Sequence, residues 1–432
     1  MLNEINLELN NFGCISNANI NLGKINIVGG LNSTGKSTCS KILYSLLRSN
    51  SKSRKLLSED TLVPEVLQLG LLLINFSNTA LEDNEDERKV RDEIKELIDE
   101  ITSNLKENSH PNDFSIIDYF NKLNNIYKQL NIKEDYKSII DKSFSNVQKL
   151  VDVYNEDGDE LFKTLMNQLI KREFGKDINE YKEVYFFGKY NNQSFNYSLN
   201  IADSKFDTEG SLLIEDVFYF DSFSALDIVS RGGLQNTEHI NHIFQSLDDD
   251  ESNDWGDEIR NDNIIEIEKK IMEITGGRFV KDDKNIIFLS SEKEFLMKNT
   301  SSGIKQLGII QLLLNNRKLN ENSFLIIDEP EVNLHPEWQV KFAEIITLLA
   351  KELNICIYIN THSPLFIEAM KTFAKKNDML TDTNFYLTYP SDVENKYDIE
   401  KINSDDLNII YNTLGRPYEL LSEININTEF GL

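Results

Sequence analysis

Residues 25–43 read INIVGGLNSTGKSTCSKIL. The stretch begins as a short apolar run suited to a buried strand, passes through a loop framed by glycines, and continues with helical patterning. Gly30, Gly35, Lys36 and Ser37 fit the pattern G-x-x-x-x-G-K-S/T, in the strand-loop-helix setting where that pattern has a mechanism. Glycines let the backbone wrap closely around a phosphate, and the amides and dipole at a helix start face negative charge. Gly30, Asn32, Ser33, Thr34, Gly35, Lys36, Ser37 and Thr38 therefore form the expected ATP-binding set. Lys36 would reach the β and γ phosphates, and Ser37 would place its hydroxyl on Mg²⁺, Thr38 being one position too far along to replace it there.

A second stretch, NSFLIIDEPEVNLHPEWQ at 322–339, carries an apolar run that ends in Asp328 and Glu329. In an open α/β sheet ligands bind at the ends of such strands, so two adjacent carboxylates there read as Asp328 for the Mg²⁺ shell and Glu329 to orient or deprotonate a water. A third run, ICIYINTHSP at 355–364, ends in Thr361, His362 and Ser363, which makes His362 a candidate for contact with a γ-phosphate or the attacking water. Before the acidic strand lies KNTSSGIKQLGIIQLLL, 298–314, read as a small-residue turn and an amphipathic helix over Ile304 to Leu314. Ser302 and Gly303 at its start form a second anion site, which one nucleotide does not need from the same subunit. The economical reading is that this turn caps an ATP held by another subunit.

Composition narrows the classes. The 432 residues include 45 Lys and Arg against 72 Asp and Glu, a net charge of −27. Non-specific adhesion to nucleic acid or to an anionic membrane is disfavoured, although a local basic groove is not excluded by net charge. No apolar run approaches the roughly 18 to 20 residues that span a bilayer, and the start of the chain lacks a signal-peptide pattern, so a cytoplasmic protein is expected. Cys14, Cys39 and Cys356 form no CxxC pair and read as reduced structural residues.

Taken in order, the glycine loop, SSGIKQ, FLIIDEPE and THS resemble the ABC-type ATPases, in the branch of RecF, SMC-like and OLD-like proteins. The resemblance implies an α/β fold, a P-loop NTPase of the ABC ATPase head type, with ATP and Mg²⁺ as cofactors. It also implies a homodimer, or a higher oligomer, closed around two ATPs. By that similarity Ser302 and Gly303 serve the partner's nucleotide, Glu329 is the catalytic base and His362 the switch histidine. Three departures stand out. Ile304 replaces the second glycine of the family's LSGGQ signature; PEVNLHP follows the acidic pair in the OLD manner; and the strand VFYFDSF, 217–223, offers Asp221 and Ser222 where a Q-loop glutamine is expected. Asp221 is open to two readings, a group that positions metal or water and a plain strand-end acid.

The sequence divides into a first ATPase lobe at 1–50, a helical insertion at 51–182, an ATPase core at 183–375 and an extension at 376–432. Within the insertion Val90, Ile94, Leu97, Ile101 and Leu105 recur at helical spacing, as do Phe144, Val147, Val151 and Tyr154, with Pro111 between the two groups. A hairpin is expected from Glu183–Tyr190 and Ser194–Ile201 around Asn191 and Asn192, a helix over Ile264 to Ile274, and a solvated loop in the acidic run from Leu247 to Glu258. His239 and His242 lack a nearby acid or cysteine of zinc-site spacing. The tail from Phe373, roughly sixty residues, is shorter than the doubly wound Toprim nuclease domain of OLD proteins, which needs about 100.

Two functional readings follow. The first is an ATPase sensor or scaffold of prokaryotic anti-phage defence, resembling the Toprim-less ATPases of Septu and PARIS type, which controls a separate effector protein, a nuclease. The alternative is a RecF-like DNA repair or chromosome-maintenance ATPase, for which SKSRK at 51–55 and KREFGK at 171–176 would have to form a basic groove.

Overall fold

The computed structural model describes residues 4–430, apart from 57–58, 81–84, 107–115, 130–133, 155–157, 176–180, 191–192, 204, 211, 222–236, 249–261, 283–284 and 291–292. Pro111, Asn191, Asn192, Ser222, Phe223 and most of the acidic run after Asp248 lie outside the described residues. The chain forms two compact units, one of residues 1–51 and 166–432, the other of residues 52–165.

The first unit is built on an eleven-stranded sheet. Its strands are β1 (Glu4–Phe12), β2 (Ile15–Leu22), β3 (Ile25–Gly29), β4 (Tyr181–Tyr190), β5 (Gln193–Asn200), β6 (Lys205–Gly210), β7 (Asp216–Phe220), β11 (Ser323–Asp328), β12 (Cys356–Thr361), β13 (Thr383–Pro390) and β14 (Tyr397–Ile402). They lie in the order β6-β5-β4-β1-β2-β14-β13-β3-β12-β11-β7. The five strands from β13 to β7 are mutually parallel. Every residue of β3, β7, β11 and β12 is buried, the pattern of strands covered on both faces, which is why they appear in the sequence as unbroken apolar runs. By contrast, the antiparallel β1 and β2 alternate between buried and accessible positions, as a sheet solvated on one face must.

A separate antiparallel sheet is made by β8 (Gly277–Asp282), β9 (Asn285–Ser290) and β10 (Glu294–Leu296). Helix α1 (Lys36–Leu56) follows the glycine loop, and α6 (Gly158–Phe174) precedes β4. Further along come α7 (Glu238–Asp248), α8 (Asp262–Thr275), α9 (Ser302–Asn315), α10 (Pro336–Glu352), α11 (Pro364–Lys376) and α12 (Asn408–Phe430). Leu247 is a buried residue of α7 rather than part of a solvated loop.

One helix departs from its expected character. The amphipathic reading of Ile304 to Leu314 is corrected by the burial of every residue from Gln306 to Leu314, together with Gly303. Helix α9 is covered on several sides: Phe279 of β8 lies so close that a Cβ on Gly308 would stand 2.2 Å from its ring. Gln311 Oε1 accepts the Phe279 amide at 3.1 Å, and Gln306 donates to the Pro330 carbonyl at 3.4 Å. The two glutamines thus look polar in the sequence while facing the interior, where backbone groups of other elements meet Gln311 Oε1 and Gln306 Nε2, although Gln306 Oε1 is buried without a partner among the described residues.

Residues 376–432 do not stand apart from the sheet. β13 lies directly beside β3, with Leu387 opposite Gly29, and β14 joins β13 to β2.

In the second unit α2 (Glu59–Ala80), α3 (Glu85–Lys106), α4 (Ile116–Gln129) and α5 (Glu134–Tyr154) enclose a core of their own. Ile94, Leu97 and Ile101 of α3 and Phe144, Val147 and Val151 of α5 belong to that core, both helices packing against α2, and Tyr127 stacks on Phe144 at 4.5 Å. Each fully buried aliphatic side chain contributes about 1.5–3 kcal/mol relative to exposure.

Candidate functional site

The P-loop leaves β3 at Gly29 and enters α1 at Lys36, and packing rather than turn geometry alone dictates its glycines. A Cβ on Gly30 would stand 2.0 Å from Thr388 Oγ1 of β13, and one on Gly35, whose φ is +94°, would stand 2.6 Å from Ile15 of β2. Ser33 also takes a left-handed conformation, φ +63°. Thr34 Oγ1 donates to the Leu31 carbonyl at 2.8 Å and receives the Thr388 hydroxyl at 2.8 Å. Asn32, Ser33 and Ser37 are exposed and Thr38 half-buried, so the first turn of α1 offers its amides outward with a hydroxyl beside them.

Lys36 is only 4% exposed, and its ammonium donates to the Leu31 carbonyl at 2.7 Å. Burial pulls its pKa down to about 8 despite the opposing pull of Glu329, Asp328 and Glu331. A phosphate in the loop would supply the counter-charge that the buried ammonium lacks.

Asp328, at the end of β11, is the hub of a buried polar cluster. Its Oδ1 accepts from Ser40 Oγ at 2.6 Å and Asn360 Nδ2 at 2.7 Å, and its Oδ2 accepts from Tyr219 OH at 3.0 Å. Burial pushes the carboxyl up, and hydrogen bonds from Ser40, Ser37, Asn360 and Tyr219 act against that rise. An oxygen-rich set of carboxylate and hydroxyls beside a phosphate loop suits a hard cation such as Mg²⁺. Asn360 Oδ1 is also buried there without a hydrogen bond.

Glu329 turns the chain sharply. Its φ is +49°, its amide donates to the Asn360 carbonyl at 2.9 Å, and its carboxylate lies 3.0 Å from His362 Nε2. The other ring nitrogen, Nδ1, stands 3.5 Å from Lys36 Nζ. The row Lys36–His362–Glu329 is self-consistent when Nδ1 accepts and Nε2 carries the proton donated to Glu329. Three neighbouring parallel strands, β3, β12 and β11, thereby deliver the loop lysine, the histidine and both acids to one edge.

Ser302 and Gly303 occupy a different place. They open α9 after Ser301, which leaves the first turn without a side-chain cap. A Cβ on Gly303 would stand 2.6 Å from the Trp338 ring of α10, so this glycine is required for the approach of the two helices as well as available to an anion.

Asp221, one residue past β7, is held by His239 of α7: its carboxylate lies 3.2 Å from Nε2, while Glu173 lies 3.0 Å from Nδ1. Burial alone would lower the imidazole pKa, but the hydrogen bonds to Asp221 and Glu173 outweigh it and raise the value to about 9. His242 is engaged elsewhere, with Asp216 at 2.9 Å, which also takes Arg48 at 3.0 Å. Because the folded pKa of His239 exceeds its ordinary value, its stabilisation is complete below about pH 6.5 and is lost as pH rises through about 9. We expect the wild type to lose on the order of 3 kcal/mol more stability than His239→Gln between those limits. Urea unfolding of both proteins at the two pH values measures it, and subtracting the variant removes the opposite contribution of Lys36. Equal losses would show that His239 is neutral when folded.

Ser40, Tyr219, Asn360, Glu331 and Thr388 escape a motif-based reading of the sequence. Asn360 has a local signal, as the residue near the end of an apolar strand just before THS, and Glu331 stands within the acidic motif DEPE.

The family described as AAA ATPase domain matches over residues 1–367. Among solved structures, the SMC head domain from Thermotoga maritima is 11% identical, over 93% of this chain and 100% of that one, with a TM-score of 0.40. The Smc head domain with an extended coiled coil bound to the C-terminal domain of ScpA, derived from Pyrococcus furiosus, is 12% identical over 98% and 100%, with a TM-score of 0.35. No curated protein matches. A glycine loop between β3 and α1, an acidic pair at the end of β11 and a family match through residue 367 lead to one assignment: the chain belongs to the AAA ATPase domain family.

Proposed function

We propose that this ATPase hydrolyses ATP between two copies of the chain and uses the cycle to control a separate effector protein. The observation that carries the catalytic part is the row Lys36–His362–Glu329 beside Asp328. Gly30, Asn32, Ser33, Thr34, Gly35 and Thr38 line the phosphates, and Lys36 leaves the Leu31 carbonyl to meet them. Ser37 and Asp328 are the residues that would hold Mg²⁺, which when bound offsets phosphate charge. Glu329 accepts a proton from the attacking water, and His362, already between Lys36 and Glu329, aligns that carboxylate with the γ-phosphate. Ser302 and Gly303 of the facing copy complete the site at a helix N-terminus.

The effector is the finer part of the reading. A helical unit with its own core at 52–165 suits a protein partner, and β13 and β14 are used by the ATPase sheet rather than by an added nuclease domain. By resemblance to the Toprim-less defence ATPases, that effector is a nuclease and the setting anti-phage defence in a prokaryotic cytoplasm. Among the described residues no helix is long and apolar enough to cross a membrane. For the RecF-like alternative, Lys52 and Arg54 of the basic stretch 51–55 are half-buried and Lys55 is exposed at the end of α1, so this stretch alone does not decide between the readings.

Lys36→Ala tests the foundation. Fluorescent-ATP titration should find affinity reduced on the order of 100-fold, because loop amides alone must then neutralise the phosphates. Undiminished affinity would refute the assignment. Affinity purification of the wild type from its host tests the second part: a recombination protein in place of a nuclease would favour the alternative.

A further inference from the structure

Glu331 belongs to none of the roles above, yet it is tied directly to one of them. It lies in the turn that follows Glu329, where Val332 N donates to the Glu329 carbonyl at 3.0 Å and Leu334 N to the Glu331 carbonyl at 3.0 Å. From there its Oε1 accepts the backbone amide of His362 at 2.5 Å. Oε2 is buried and makes no hydrogen bond of ordinary geometry. Burial pushes the carboxyl up, while its own backbone amide, then the His362 amide and the Thr361 hydroxyl, pull it down.

His362 is a junction residue between β12 and α11. Its neighbours are fastened on both sides: Thr361 is the last residue of β12, and Ser363 caps α11 by accepting the Phe366 amide at 3.1 Å. The His362 amide has no place in the strand ladder or the helix and lies in a half-buried position, where an acceptor from the protein replaces partly excluded water. Glu331 supplies that acceptor from the turn that follows the neighbouring strand β11. The same side chain therefore links the turn carrying Glu329 to the residue whose ring touches Glu329, and the spacing between the two turns becomes a property of one carboxylate.

We infer that Glu331 is a positioning residue for hydrolysis, acting through the backbone of His362 to set where the imidazole stands between Lys36 and Glu329. The inference rests on the ATPase reading of the site. It differs from a second-base role because it needs an acceptor at Oε1 and does not need negative charge. Glutamine retains that acceptor; alanine removes it.

The test compares wild type, Glu331→Ala and Glu331→Gln. Glu331→Ala should lower kcat roughly 10- to 100-fold with KM for ATP within about 2-fold of wild type, since misplacement by about an ångström is felt in the reaction rather than in phosphate binding. Glu331→Gln should recover to within about 3-fold of wild-type kcat. With five histidines in the chain, the His362 ring signal in the NMR spectrum of histidine-labelled protein can be assigned by its loss in His362→Gln. It should move in Glu331→Ala and return in Glu331→Gln. Wild-type kcat in Glu331→Ala, a glutamine variant as impaired as alanine, or an unmoved ring signal would overturn the inference. If the wild type fails to hydrolyse ATP at all, the ATPase reading falls, while the ring signal still reports whether Glu331 positions His362.

Discussion

Glu329→Gln should bind ATP with wild-type affinity and hydrolyse it on the order of 10²–10³-fold more slowly. Glutamine fills the same space and can still receive the His362 Nε2 proton, but its amide cannot take a proton from water. The expected effect is large if Glu329 is the base proposed above, and its backbone suits that role. A non-glycine residue at φ +49° directly after a buried strand is an uncommon backbone state, and here it lifts the side chain, 41% exposed, out of the sheet edge while Asp328 stays inside. The variant should therefore accumulate as an ATP-bound dimer. Single-turnover hydrolysis with light scattering measures both effects, and a variant that turns over at the wild-type rate would remove Glu329 from the role of base.

Ser302→Arg should also abolish turnover, by on the order of 100-fold or more, with nucleotide affinity retained. The arginine blocks the helix start that the partner's γ-phosphate would approach, while Lys36 of the same chain is untouched. Mixing this variant with Lys36→Ala separates a shared site from an independent one. In a mixed dimer one site pairs the intact P-loop of the first variant with the intact turn of the second, and the other site is broken twice. Random pairing in equal amounts should recover about a quarter of wild-type activity from two inactive proteins. A mixture as inactive as its components, or an active monomeric Ser302→Arg, would rule out the composite arrangement.

Much of the candidate site's edge was legible from local patterns. β3, β11 and β12 are buried on both faces, so each is an unbroken apolar run that ends in polar residues where the parallel sheet presents its ligand edge. Helix α9 was legible as a helix but not in its surroundings, because Gln306 and Gln311 carry a polar signal into a buried setting. The supporting contacts were not legible, because they depend on which strands become neighbours. Tyr219 meets Asp328 across 109 positions and Glu173 meets His239 across 66, and no periodicity encodes either distance. Glu331 is a milder case: it stands within the acidic motif, but its partner is an amide, which a sequence does not display.

The place of β13 has a consequence for how the molecule is made. The P-loop is translated well before β13: Thr388, whose hydroxyl rests on Thr34 and whose side chain fills the space beside Gly30, lies 354 positions after Thr34. Until that strand is translated and inserted between β3 and β14, the nascent loop lacks one wall and the growing sheet has an open edge at its centre. Non-local closure of this kind is slow and leaves strand edges unpaired while it waits. The wall of the nucleotide loop is thus completed only after β11 and β12, which carry the acidic pair and His362, have already been made.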